Sequence, residues 1–134
     1  MRRLTMSLAA LALLSAPALA EDAKPLTPPA QIKTANLPAD TVLSYNLKNL
    51  TLVDGQNSTV AEIKDLAISQ NKLVGYIVSV GGFLGVGERY VAIDPSSVAL
   101  TYDESAKKWK ASANASKDQL KAAPEFKYEG KFKN

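Results

Sequence analysis

The sequence contains neither cysteine nor histidine in its 134 residues. Without cysteine the chain forms no disulfide, so its stability depends on packing alone. A serine–histidine–aspartate or cysteine–histidine nucleophile cannot be built, because histidine is the base that activates it. A zinc site is disfavoured for the same reason, since cysteine and histidine are the ligands that zinc prefers. We therefore predict no enzyme activity, no catalytic residues, no metal and no cofactor.

Long apolar runs and a strong net charge are also missing. The apolar run at residues 6–14 is interrupted by Ser7. It is shorter than the roughly 20 residues that a membrane-spanning helix needs. The chain has 16 basic and 13 acidic residues, a net charge of +3. Two of the basic residues, Arg2 and Arg3, lie in the segment discussed next, and the nearly neutral remainder gives no electrostatic reason to expect nucleic acid as a partner.

Residues 1–20 have the layout of a secretory signal peptide. Arg2 and Arg3 give a positive start, residues 6–14 are mainly apolar, and an Ala-Leu-Ala cleavage pattern ends at Ala20. An uncleaved N-terminal anchor is the alternative, and the absence of cysteine after Ala20 excludes a lipid-anchored form. We expect a periplasmic protein cleaved after Ala20. The remaining 114 residues carry 14 basic and 13 acidic side chains, a net charge of +1.

Prolines dominate the segment that follows. Residues 21–40 contain four of the seven prolines and show little periodicity. Proline fixes the backbone and removes a hydrogen-bond donor, so this composition predicts a disordered, extended linker. The Pro28-Pro29 pair could be a recognition motif, but a tether is the favoured interpretation. Residues 41–134 are then expected to form one small domain.

Four of the seven glycines lie in one apolar stretch, which we call the glycine segment: Gly81, Gly82, Phe83, Leu84, Gly85, Val86 and Gly87. Apolar strand patterns precede it at 73–80 and follow it at 90–93. The glycine spacing is reversed relative to a dinucleotide-binding motif, and a strand follows where a helix is required. A phosphate-binding loop is also excluded, because it needs a lysine at the position that Glu88 occupies. The segment is therefore predicted to be a tight apolar turn between strands.

The glycine segment with Glu88 and the Val-Ala-Ile at 91–93 resembles the PRC-barrel family. The resemblance extends over 46–124. It includes a hydrophobic-x-Glu-hydrophobic-x-Asp-hydrophobic pattern beginning at Val60 and a Ser-Lys-x-Gln-Leu-x-x-x-Pro ending at 116–124. The family implies a mainly β domain, a small PRC-type antiparallel β-barrel of about six strands with a short C-terminal helix. Closure of such a barrel would remove exposed sheet edges.

One segment of the predicted barrel is ambiguous. Val60, Ile63 and Ala67 fit helical spacing over residues 59–68. The resemblance implies a strand there instead, with a bulge near Lys64 and Asp65. We follow the resemblance and predict that 59–68 pairs with 73–80 through a turn at 70–72.

The rest of the domain shows local patterns. Residues 50–53 indicate a short strand, and 98–102 with 108–113 indicate a hairpin. A capping box from Ser116 to Gln119 predicts a short helix that ends before Pro124. The tail at 126–134 alternates aromatic and charged residues, which is compatible with an edge strand or with fraying.

Charged groups offer weaker alternatives. Carboxylates on the strands could act in acid–base chemistry or bind calcium, and lysines could contact anionic lipid or polysaccharide. In both cases solvated faces are the favoured interpretation. The carboxylates are Glu62, Asp65, Glu88 and Asp94, and the lysines are Lys107, Lys108, Lys110, Lys127, Lys131 and Lys133.

The functional prediction is an exported, non-catalytic binding or adaptor module of the bacterial envelope that acts through protein–protein contacts. Its partner would be an unidentified envelope protein or a second copy of the chain. The alternative is a small-ligand carrier or enzyme that uses the barrel mouth. The candidate interaction site is the glycine segment. Its apolar side chains could instead plug the barrel, which is the favoured interpretation because small domains rarely leave such groups in water.

Overall fold

The computed structural model describes residues 31–81 and 87–133. Within them, a six-stranded sheet, two short helices and two 3₁₀ turns all lie in the unit Asn36–Asn134. The strands are β1 (Thr51–Val53), β2 (Thr59–Ser69), β3 (Lys72–Val80), β4 (Arg89–Ile93), β5 (Val98–Asp103) and β6 (Lys108–Ala113). The helices are α1 (Ser44–Leu47) and α2 (Lys117–Ala122), and the 3₁₀ turns are Pro95–Ser97 and Gly130–Phe132.

The predicted mainly β class with a short C-terminal helix is confirmed. The strands follow the order β4-β3-β2-β1-β6-β5. Neighbours pair antiparallel except β1 and β6, which are parallel through Leu52 opposite Ala111 and Val53 opposite Ser112. In the described residues, no ladder joins the end strands β4 and β5. The sheet is therefore barrel-like but not closed by hydrogen bonds.

The ambiguous segment is a strand, as predicted, and the helical alternative is wrong. β2 pairs with β3 from Glu62 opposite Ser79 to Ser69 opposite Lys72. The two turn residues between them have φ of 50° and 63°, and successive left-handed residues give the turn twist that suits a tight hairpin. The predicted bulge is present, because the register shifts between Ile63 and Asp65.

The C-terminal hairpin and helix are also confirmed. β5 and β6 pair from Val98 opposite Ala113 to Asp103 opposite Lys108. At α2 the Ser116 hydroxyl accepts a hydrogen bond from the Gln119 backbone N–H at 3.1 Å, and the Gln119 side chain accepts from the Ser116 N–H at 2.8 Å. This reciprocal pair satisfies donors that the first helical turn would otherwise leave unpaired.

The core lies on one side of the sheet. Ile93 of β4 and Leu100 of β5 pack against the same buried cluster, although these strands stand at opposite ends of the hydrogen-bonded order. The sheet must therefore curl around this cluster. Leu120 of α2 closes it and is 5% exposed. The most deeply buried side chains are Leu52, Ile63, Val78, Val80 and Val91.

The other side of the sheet is partly covered by the C-terminal tail. Ile77 and Ser79 point away from the core cluster and are nevertheless buried. Phe126 donates its backbone N–H to the Tyr90 carbonyl at 2.7 Å, which brings the tail to the outer edge of β4. The pairing is an isolated bridge followed by a 3₁₀ turn. The tail is thus neither a full edge strand nor frayed.

α1 was not predicted from the sequence. Leu47 is its buried residue. The two residues that follow Lys48 are joined to β2, next to its bulge, by two backbone hydrogen bonds. The Asn49 N–H donates to the Ile63 carbonyl at 2.7 Å, and the Ile63 N–H donates to the Leu50 carbonyl at 2.9 Å. None of the helices in the described part of the chain has the length and apolar character needed to cross a membrane.

Candidate functional site

The two ends of the glycine segment need glycine for conformational reasons. Gly81 has φ of +70° and Gly87 has φ of +73°, a region in which a side chain would be strained. The other candidate residues lie outside the described residues, so both interpretations of the segment, plug and docking site, stay predictions. These residues are Gly82, Phe83, Leu84, Gly85 and Val86.

Glu88, directly after the segment, holds the centre of a hydrogen-bond network. The Ser79 hydroxyl donates to one of its carboxylate oxygens, and the Tyr90 hydroxyl donates to the other at 3.1 Å. Ser79 and Tyr90 are opposite each other on β3 and β4, so their side chains share a face. Burial and the hydrogen bond to Glu88 raise the pKa of Tyr90. The network fastens the outgoing end of the glycine segment to the sheet.

On the other side of β3, the polar side chains continue onto β2. Glu62 is opposite Ser79, and its carboxylate lies 2.6 Å from the Lys64 ammonium. This hydrogen bond raises the pKa of Lys64. Lys64 also donates to the Asn49 side-chain oxygen at 3.4 Å. The prediction of solvated carboxylates is therefore wrong for Glu88, which is half-buried and doubly hydrogen-bonded.

The remaining carboxylates, Asp65 and Asp94, accept hydrogen bonds from nearby backbone N–H groups. Asp65 accepts from the Leu66 N–H at 2.8 Å, and Asp94 accepts from the Ser96 N–H at 2.8 Å. Hydrogen bonds from Ser96 lower the pKa of Asp94. In the described ranges, no three acidic side chains are grouped closely enough to hold a metal ion.

α2 supports the base of the segment from the other side. A guanidinium nitrogen of Arg89 donates to the Ala123 carbonyl at 2.6 Å, directly after the helix. A side-chain carbon placed on Gly81 would lie 3.5 Å from Cε of Lys121. The end of α2 therefore lies close to Gly81 and is hydrogen-bonded to Arg89, just after the glycine segment.

The tail contributes an aromatic cluster on the network's face. Tyr128 meets Tyr90 edge-on at 5.0 Å between ring centroids, and Phe126 meets Tyr128 at the same distance. Phe132 packs on Phe126 at 5.6 Å. Burial raises the pKa of Tyr128. Edge-to-face rings of this kind stabilise packing beyond their buried area, so the tail packs on Tyr90, one member of the Glu88 network.

A second feature is an apolar surface that was not predicted as a site. We define it by Tyr45 on α1 and by Ile68, Leu73 and Val74 on the β2–β3 hairpin. Their exposed fractions are 73%, 68%, 38% and 50%, respectively. Ile68 is opposite Leu73 in the ladder, and the register shift beside them makes Val74 an extra residue on β3. Tyr45 and Ile68 line one groove. The pairing of Ile68 with Leu73 extends the surface from this groove to β3, where Val74 follows.

The groove beside this surface has a volume of about 450 Å³. Leu66 lies at its base and is half-buried. Lys48, Lys64 and Asp65 line it as well. The lining of the groove therefore combines apolar and charged side chains, as protein–protein interfaces do.

A smaller cavity of about 320 Å³ is lined by residues of β1 and β6. Trp109, Lys108 and Lys110 line it together with Leu50. Lys110 is paired with Asp103 at 2.6 Å, which lowers the pKa of that carboxyl group. The cavity is at the lower end of the volumes typical of ligand pockets, and one of its two ammonium groups is already neutralised.

Comparison with known families settles the relationship suggested by the glycine segment. The chain matches the PRC-barrel domain over residues 39–120, which is more than half of its 134 residues. The chain belongs to the PRC-barrel family. No curated protein matches it.

The PRC-barrel match extends from before α1 to Leu120. It therefore contains both the Glu88 network and the apolar surface. The aromatic tail lies beyond the matched residues, so the cover on the second face of this PRC-barrel is built by residues outside the family pattern. The tail's alternating aromatic residues were the sequence signal for this cover. The sequence held no separate signal for the apolar surface, because apolar residues in a strand pattern predict burial.

Proposed function

We propose that this PRC-barrel protein is an exported, non-catalytic adaptor of the bacterial envelope that binds a protein partner through its apolar surface. The observation that carries the proposal is the exposure of Tyr45, Ile68, Leu73 and Val74 side by side. Contiguous exposed apolar side chains mark contact sites, whereas scattered ones do not. Tyrosine is also among the residues that contribute most to binding energy in interfaces.

The surroundings of the surface favour a protein over a lipid or nucleic acid. Lys48 and Lys64 stand near Asp65 around the groove, and Lys64 is already paired with Glu62. Mixed and partly neutralised charges of this kind would not concentrate an anionic membrane or phosphate backbone. They are instead suited to the polar border of a protein interface, with the apolar groups at its centre.

The chemistry of the described side chains supports a non-catalytic role. The Glu88 carboxylate is occupied by Ser79 and Tyr90, and Glu62 is occupied by Lys64. These groups hold one another in place, and the chain has no histidine or cysteine to act beside them. Under this proposal the network is a structural support for the glycine segment.

Export is part of the proposal and has its own test. We expect the protein recovered from the periplasmic fraction to lack residues 1–20, because the Ala-Leu-Ala pattern ends at Ala20. Intact-mass spectrometry of that fraction measures the processing directly. A replacement of Ala18 and Ala20 by bulky residues serves as the control and should leave the precursor uncleaved. A periplasmic protein that retained Met1 would contradict the cleavage site.

Partner binding can be tested by site-specific photo-cross-linking in cells. A photoreactive amino acid at Tyr45 or Ile68 is expected to give the same discrete adduct from both positions, because both line one groove. The matched control is Phe132, which is 51% exposed on the tail. It should not give this adduct. Mass spectrometry of the adduct identifies the partner.

Two outcomes would contradict the adaptor proposal. One is identical labelling from Tyr45, Ile68 and Phe132, which would indicate non-specific contact. The other is the absence of a protein adduct at both groove positions in cells that produce the folded protein. The Ile68→Ser variant gives an independent check, since it should remove the adduct formed from Tyr45 while the protein remains folded.

A further inference from the structure

The outer edges of the two end strands, β4 and β5, differ in whether another segment is hydrogen-bonded to them. The outer edge of β4 is met by the tail, where Phe126 donates to the Tyr90 carbonyl. β5 stands at the other end and pairs only with β6 within the described residues. An unpaired edge presents N–H and C=O groups that can pair with another strand. Within the described residues, the outer edge of β5 therefore has no strand paired to it.

The backbone geometry shows which groups of β5 face outward. Val98 donates its N–H to the Pro95 carbonyl and not to β6. In an antiparallel pair, successive residues alternate between facing the partner strand and facing away from it. Leu100 and Tyr102, which share the phase of Val98, therefore direct their N–H and C=O groups to the outer edge. Ala99 and Thr101 face β6.

The sequence of β5 does not contain the usual protection of an edge strand. Between Val98 and Tyr102 there is no proline, glycine, lysine or other charged residue, although charged side chains and proline are the common means of blocking an edge. Ala99 and Thr101 are exposed, and Tyr102 is 43% exposed. Asp103 is the first charged residue, and it is held by Lys110 on its own hairpin.

We propose that the edge of β5 pairs with β5 of a second copy of this chain, antiparallel and centred on Thr101. In this register Leu100 of each copy is opposite Tyr102 of the other. All four outward N–H and C=O groups of Leu100 and Tyr102 then find partners, while the Val98 N–H keeps its bond to Pro95. The two Thr101 side chains meet at the symmetry axis.

The side chains and charges fit this arrangement. Leu100 of the second copy covers the exposed Tyr102 ring, and a threonine–threonine pair is a favourable cross-strand contact. Asp103 lies opposite Ala99, so no like charges are opposed. The processed chain would carry a net charge of only +1, which gives little repulsion between copies. The β5 edge is separate from the apolar surface, so this dimer does not depend on the proposed adaptor function.

The absence of cysteine makes the test clean, because one introduced cysteine is the only thiol. Thr101→Cys is expected to form a covalent dimer as the main product under mild oxidation. Residues opposite each other at a non-hydrogen-bonded position are about 4.5 Å apart at Cα, which is compatible with a disulfide. Thr51→Cys is the matched control. Thr51 is also an exposed strand threonine, but β1 has neighbours on both sides.

Light scattering after size-exclusion chromatography gives the second measurement. The unmodified chain is expected to show twice the mass of a single chain. Thr101→Lys should reduce the mass to that of one chain, and Thr51→Lys should leave the dimer intact. A single-chain mass for the unmodified protein would overturn the proposal. So would cross-linking of Thr101→Cys that is no more extensive than that of Thr51→Cys.

Discussion

Replacement of Ile63 by alanine is expected to lower the free energy of unfolding by about 2–5 kcal/mol. Ile63 is completely buried opposite Val78 in the core. Removing its side chain therefore loses apolar burial and leaves a cavity that the surrounding strands can only partly fill. A loss of this size is a large share of the stability of a small domain, so some of the variant should be unfolded at moderate urea concentrations. Urea denaturation followed by circular dichroism measures the change.

The same strand supplies the control. Ile68 is an isoleucine on β2 as well, but it is 68% exposed on the apolar surface. Ile68→Ala removes the same atoms from a site where water already reaches them, and only a strand-propensity effect of less than about 1 kcal/mol remains. Equal losses at Ile63 and Ile68 would contradict the assignment of the core and the apolar surface to different environments.

Replacement of Glu88 by alanine has the second largest expected effect, a loss of about 1–3 kcal/mol. The carboxylate accepts from the Ser79 hydroxyl, and Ser79 is only 8% exposed. Without Glu88 this buried donor has no partner. Glu104→Ala, in the exposed turn between β5 and β6, is the matched control. It should change the unfolding free energy by less than about 0.5 kcal/mol.

A double-mutant cycle separates the hydrogen bond from other effects of the Glu88 replacement. Ser79→Ala removes the donor, so Glu88→Ala should cost less in that background than in the unmodified protein. Contacting residues typically show coupling of about 0.5–3 kcal/mol. Additive losses would show that the Ser79–Glu88 hydrogen bond contributes nothing to stability. A Glu88→Ala variant as stable as Glu104→Ala would show the same of the whole network.

Features determined by neighbouring residues could be predicted from the sequence. The turn at Gln70-Asn71 and the alternating strand after it follow from the sequence, because asparagine tolerates the left-handed backbone that the turn needs. The strand before the turn was predicted only from the family resemblance. The start of α2 follows from Ser116 and Gln119, three positions apart, which satisfy each other's backbone groups. In the ambiguous segment, helical spacing competed with strand pairing, and pairing with β3 prevailed.

Features that depend on distant contacts could not be predicted. The sequence shows Glu88 after a glycine, but its partners depend on the register that puts Ser79 opposite Tyr90. The parallel pairing of β1 with β6 has no local signature. The exposure of Ile68 depends on what covers the end of the hairpin, and an isoleucine in a strand pattern predicts burial. The apolar surface therefore became visible only in the fold.

The short parallel contact between β1 and β6 has a consequence for how the chain folds. The hairpins β2–β3 and β5–β6 each join neighbouring segments, whereas Leu52 meets Ala111 only after most of the domain has been brought together. Contacts between distant segments form slowly because the intervening loop must first be ordered. An isolated hairpin is marginally stable in water. Neither the β2–β3 hairpin nor the β5–β6 hairpin is therefore expected to be stable before β1 pairs with both β2 and β6. We therefore expect the domain to fold in a single cooperative step, and a chain cut between the two hairpins to yield two fragments that fold only when mixed.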